Sequence, residues 1–227
     1  MLTAHRSSRR ASRGVSIVEI LVGITIGLVL VGGVLSLFVT NLVNSRRLLV
    51  EARVNQDMRA AADLIARDLR RAAYWQNSID GTKVFGSATT PTRNPYQAVA
   101  ADSAASSILY TFSRDTTENN TIDSNEQFGF RLNAGTVQMR TADNTWQTVT
   151  DPGVMTVNGL ALTVTEVPIS AASACSTTCT TGCPLLTQRH YLLVMTATAV
   201  SDAAVTRRLE TRARVRNDSL TGACPAA

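Results

Sequence analysis

Only two histidines, His5 and His190, occur in the 227-residue chain, and that scarcity removes most histidine-based acid–base chemistry and most imidazole metal sites. A glycine-rich phosphate loop, a nucleophile elbow and an evident pair of facing carboxylates are missing as well. The chain is therefore read as non-enzymatic, with no catalytic residue, no metal and no cofactor, and His190 takes a structural place at the start of an apolar run. No internal repeat is evident. Charge and proline are both absent from Ile20 to Val39, a run of 20 residues. At 1.5 Å per residue this makes roughly 30 Å of helix, enough to cross a bilayer core. An Ala-x-Ala cleavage pattern is lacking after this run, which excludes an ordinary secretory signal.

What is present just before the run is more informative. The arginine-rich RSSRRASRG ends at Gly14, and one carboxylate, Glu19, follows five residues later at the border of the apolar stretch. A carboxylate there costs on the order of a few kcal/mol unless it is paired, so it calls for a function. The segment GVSIVEILVGITIGLVLVGGVLSLFVTN resembles the amino-terminal segment of type IV prepilins, and with DLIARDLRRAAYW it is most similar to PilW-type minor pilins.

That resemblance implies cleavage between Gly14 and Val15 by prepilin peptidase, N-methylation of Val15 and an assembly role for Glu19. Val15 stands where the family usually has phenylalanine. The implied organisation is a leader over 1–14, the transmembrane and assembly half of a helix over 15–43, its amphipathic half over 44–75, and a β-rich head with a cysteine region over 76–227. Arg6, Arg9, Arg10 and Arg13 supply four of the 22 basic side chains. Without them the formal charge falls from +5 to about +1, so the basicity belongs to a cytoplasmic flank rather than to a nucleic-acid surface. Gly23 and Gly27 form a small-xxx-small face for helix packing. Gly32 and Gly33 mark the weakest helix propensity and are the candidate place for bending or melting in a filament.

The helical pattern continues past the span. Val50, Val54, Met58, Ala61, Ile65, Leu69 and Ala72 recur at steps of three and four, giving one apolar stripe that reaches about Tyr74. Arg47 with Glu51, Arg53 with Asp57, Arg59 with Asp63, and Asp63 with Arg67 are spaced for ion pairs. After Trp75 a stretch rich in turn formers reads as an irregular loop. Strands are predicted over Ser107 to Phe112, Glu126 to Leu132, Gly135 to Arg140, Thr145 to Thr150, Gly159 to Val167, His190 to Val200 and Val205 to Val215. The Asn133-Ala134-Gly135 link predicts a hairpin, and the last two strands an antiparallel pair. The fold class is α+β and pilin-like: a long amino-terminal helix packed on an antiparallel β-sheet head.

Cys175, Cys179, Cys183 and Cys224 lack the Cys-x-x-Cys spacing of common zinc sites. In an exported head they predict two disulfides, with three pairings open. The acid- and amide-rich segment from Arg114 to Glu126 is read as a solvated turn, because Gly129 comes one position late for an EF-hand loop starting at Asp123. Arg207, Arg208, Arg212, Arg214 and Arg216 alternate with apolar positions as a solvated strand face, so nucleic acid is not an expected partner.

By resemblance the expected function is that of a minor pilin that initiates or caps a type IV pilus serving twitching motility, adhesion or DNA uptake. Expected partners are prepilin peptidase, other minor and major pilins, the inner-membrane assembly platform, a tip adhesin and the lipid bilayer. The chain would sit once across the inner membrane with a periplasmic head, then in a surface pilus. A type II secretion pseudopilin, a DNA-capturing pilin and a non-polymerising membrane-anchored adhesin are the alternatives.

Overall fold

A computed structural model describes residues 14–82, 93–102 and 104–225. The leader arginines, His5 and part of the loop expected after Trp75 lie outside the described residues. The chain divides into two compact units, one ending at Leu48 and the other beginning at Leu49.

Helix α1 runs unbroken over Ile17–Arg71. Its sequence contains no proline and is dominated by leucine, alanine, valine and arginine, so little interrupts propagation. Arg70 and Arg71 occupy the last turn, where positive charge opposes the helix dipole. The helix ends because Ala73 adopts a left-handed backbone with φ 62°, the conformation that commonly closes helices. Its final carbonyls find partners elsewhere: Asn217 Nδ2 donates to Ala72 O at 3.1 Å, Asn94 Nδ2 to Ala73 O at 2.8 Å, and the Arg216 backbone to Arg70 O at 3.3 Å. Termination at Arg71 rather than Tyr74 follows from these contacts.

In the first unit the helix is exposed on all sides: large apolar residues from Val15 to Val43 all face outward. In the second unit the expected stripe is the core-facing edge. Val54, Met58, Ala61, Ile65, Leu69 and Ala72 are buried, and Val50 packs partly against them. Glu51 reaches across to Arg207 of the head. Among the described residues, the expected Arg53–Asp57, Arg59–Asp63 and Asp63–Arg67 pairs are not within ion-pair distance. On an exposed helix face water competes with such pairs at little cost.

Among the described residues nine strands form two antiparallel sheets rather than one. The first is a meander of β1 (Val99–Asp102), β2 (Ser107–Thr111), β3 (Gln127–Asn133), β4 (Thr136–Arg140) and β5 (Trp146–Thr148). The second holds β6 (Met155–Ser170), β7 (Leu185–Ala199), β8 (Thr206–Arg214) and β9 (Ser219–Thr221), with β9 paired to β7. Their inward residues share one core with the helix stripe: Ile108, Tyr110 and Phe130 from the first sheet, and Leu160, Leu162, Tyr191, Leu193 and Met195 from the second.

Turn chemistry fixes register. Asn133 pairs with Thr136, so the hairpin loop is the two residues Ala134 and Gly135, with φ 47° and 75°. That is the left-handed pair that matches strand twist, shorter than the three-residue link expected.

Candidate functional site

Two regions carry the features that the sequence singled out. In the first unit, Gly14 and Val15 are exposed and precede the helix, and Glu19 sits in its first turn. The helix dipole favours a carboxylate there. The Glu19 carboxylate forms no hydrogen bond or ion pair with another described residue. A Cβ added at Gly23, Gly27, Gly32 or Gly33 would meet nothing within 4 Å, so no other part of the described residues packs on those positions. The helix continues through Gly32 and Gly33 without a break. It is long and apolar enough to cross a membrane.

In the second unit, the end of α1 meets the first sheet in a polar and aromatic cluster. Asp68 is buried, accepts from Tyr110 Oη at 3.2 Å and is paired with Arg71. Burial, and then the adjacent Asp68, push the Tyr110 phenol well above its usual range. Phe112 and Phe128 stack with centroids 4.2 Å apart, and the guanidinium groups of Arg71 and Arg114 lie 4.9 Å and 5.6 Å from the centroids of these rings. An open groove of about 350 Å³ beside them is lined by Asp68, Arg71, Arg114, Phe128, Met139 and Arg140, among others.

The acidic segment is not simply a solvated turn. Glu126 is wholly buried. Its carboxylate accepts from the backbone N–H groups of Arg114 and Asp123, each at 2.9 Å, and lies 3.0 Å from Tyr96 Oη. Tyr96 Oη is also 2.9 Å from Glu118 Oε1. Burial first, then these two carboxylates, raise the Tyr96 phenol far above its ordinary value. Asp115, Asp123 and Glu126 each offer an oxygen within 4.8 Å of the others. Tyr96, 30 residues before Glu126, gave no signal in the sequence, because its role depends on that long-range approach.

The structure pairs Cys175 with Cys224 and Cys179 with Cys183. The first bridge spans 49 residues and fastens the tail beyond β9 to the loop between β6 and β7; the second closes a ring within that loop. Gly222, at φ 72°, makes this docking possible, since a Cβ there would lie 2.0 Å from Cys183 O. The tail is held further by Ala223 N donating to Gly182 O at 2.9 Å and by Arg93 donating to Leu220 O at 3.2 Å.

His190 lies within β7, exposed, between Thr165 and Arg214 on the adjacent strands. Arg208, Arg212, Arg214 and Arg216 are exposed along and just beyond β8, and Arg208 and Arg214 pair with Glu210 and Asp218.

The sequence pattern of one family, described as prepilin peptidase-dependent protein B, matches residues 47–215. No curated protein and no solved structure gives a significant match.

Proposed function

Because this chain belongs to the prepilin peptidase-dependent protein B family, we propose that it works as a minor pilin that initiates or caps assembly of a type IV pilus. The family match covers the amphipathic half of α1 and most of the head. The observation that carries the assembly step lies outside that match: a lone carboxylate, Glu19, in the first turn of α1, beside large apolar residues from Val15 to Val43 that are exposed.

Cleavage after Gly14 would make Val15 the amino terminus and Glu19 the fifth residue. In the membrane the helix would lie with its apolar surface against lipid tails. On extraction into a filament, that surface would pack on neighbouring pilin helices, with Gly23 and Gly27 allowing close approach. Glu19 would then neutralise the Val15 ammonium of its own or a neighbouring subunit. Attraction between the two is far stronger in a low dielectric than in water, and desolvation offsets part of the gain. The pairing therefore favours the correct axial register over its neighbours. N-methylation of Val15 leaves the positive charge in place and is compatible with it.

The test replaces Glu19 by Val in cells that also carry the other pilins. The proposal expects normal insertion in the inner membrane and normal leader removal, with the protein lost from sheared surface filaments by tenfold or more. Undiminished incorporation of the variant would refute the role given to Glu19.

A further inference from the structure

The groove at the end of α1 carries positive charge that no carboxylate among the described residues neutralises. Asp68, Arg71, Arg114, Arg140 and Asp143 all line it. Asp68 is engaged by Arg71 and Tyr110, and Asp143 accepts from the hydroxyls of Thr141 and Thr145. Arg71 is thereby compensated, whereas Arg114 and Arg140 are not. Among the described residues neither of these two is in an ion pair.

Both guanidinium groups are nevertheless held in place, by uncharged neighbours. Arg140 donates from Nε to Asn144 Oδ1 at 2.8 Å and from Nη2 to Gln127 Oε1 at 3.2 Å. The Arg114 guanidinium lies 5.6 Å from the centre of the Phe128 ring and makes no hydrogen bond to a described residue. Arginine carries its N–H donors in a rigid fork, and most of those on Arg114 and Arg140 remain open. The floor of the groove is of a different kind. Phe128 is stacked on Phe112 and only 7% exposed, and Met139 packs partly against the same core. Positioned cations beside a rigid apolar surface match an anion with an apolar group attached.

We propose that this groove docks an acidic segment of a partner polypeptide, with side-chain carboxylates received by Arg114 and Arg140 and a neighbouring apolar side chain set on Phe128 and Met139. Planar carboxylates fit the donor fork of arginine, with two parallel hydrogen bonds to one group. A bare inorganic anion would use the arginines and leave the apolar floor uncovered. The groove, of about 350 Å³, is open, so a small molecule there would keep much of its surface in water, whereas small-molecule sites enclose most of their ligand. A polypeptide segment is held by the rest of its partner and needs no such enclosure. Docking of this kind concerns the head alone and does not depend on Glu19 or on pilus assembly.

The test uses the full chain in detergent and two peptides carrying a neutral fluorophore, one built from Glu and Leu and the other from Gln and Leu in the same order. Fluorescence anisotropy should show the acidic peptide binding about tenfold or more tightly than its amide counterpart, with affinity falling as salt is added. The variant Arg114→Gln with Arg140→Gln should weaken that binding by about tenfold or more. The variant Arg212→Gln with Arg216→Gln, which removes the same charge from the other sheet, should leave it unchanged. Should the groove variant fail to fold, the wild type decides: a photoreactive leucine in the acidic peptide should label the segment from Phe128 to Gln147, and labelling elsewhere overturns the site. No binding of the acidic peptide up to about 1 mM, equal binding of the two peptides, or full binding by the folded groove variant would each overturn the proposal. So would N-acetylglutamate competing as well as the peptide, which would assign the groove to a small carboxylate.

Discussion

Tyr110 donates its hydroxyl to Asp68 across 3.2 Å in a place closed to water, so the last turn of α1 is fastened to the middle of the first sheet by a charged hydrogen bond. Arg71 supplies the opposite charge from the partly exposed side. The contact fixes how far the helix advances over the sheet, because a shift by one residue would place Leu69 or Arg67 where Asp68 now meets Tyr110. Replacing Tyr110 by Phe keeps the ring and removes the donor. The expected cost is about 1–3 kcal/mol, read by denaturant unfolding, with the circular dichroism spectrum unchanged.

Alkaline stability follows from the same burial. Tyr96 and Tyr110 have pKa values raised chiefly by burial, and burial pushes Tyr191 up to about 12. A phenol whose folded pKa exceeds its unfolded value of 10.0 gives stability that is complete below that pH and is lost as pH rises through the folded value. The melting temperature should therefore begin to fall above about pH 10. Replacing Tyr96 and Tyr110 together by Phe should flatten this fall; an unchanged slope would contradict the assignment.

The two disulfides should contribute unequally. Cys175–Cys224 closes 49 residues and Cys179–Cys183 closes four, so loop entropy assigns about 4 kcal/mol to the first and about 2 kcal/mol to the second as upper values. Replacing Cys175 and Cys224 by Ser should lower the melting temperature more than replacing Cys179 and Cys183. It should also expose the tail after β9 to protease, because the bridge holds that tail beside Gly182 and Cys183.

The parts legible in the sequence were those with a regular period. Val54, Met58, Ile65 and Leu69 announced the buried helix face through their spacing, and the alternation of arginines with apolar positions announced the inward side of β8, where Ala213 is buried and Leu209 packs against the core. The strands β1 and β9 gave no such signal. The strand β1 is only VAAD, and it forms because Val99 and Ala101 pair with Tyr110 and Ile108 of β2. The strand β9 is three residues long and rests on the start of β7. Gly159 was read as the start of a strand, but it follows a bulge inside β6, and Pro168, opposite Thr187, is tolerated there because β6 is an edge strand of its sheet.

The candidate sites divide in the same way. Gly14, Val15 and Glu19 were singled out as a local motif, and they stand at the exposed start of α1. The burial of Glu126 was not legible, since it depends on Tyr96 and on the backbone of Arg114 closing over it. A composition rich in acids and amides signals exposure, and only the tertiary fold reveals that one of those acids is enclosed.

On the proposed function, this chain becomes a pilin subunit through cleavage that creates the amino group Glu19 must meet. The most direct measurement is the intact mass and amino-terminal sequence of the protein recovered from membranes with and without prepilin peptidase. A chain beginning at Val15 and carrying an N-methyl group is expected when the peptidase is present, and the uncleaved leader when it is absent. The same amino terminus in both, or one outside the Gly14–Val15 junction, would contradict the proposed function.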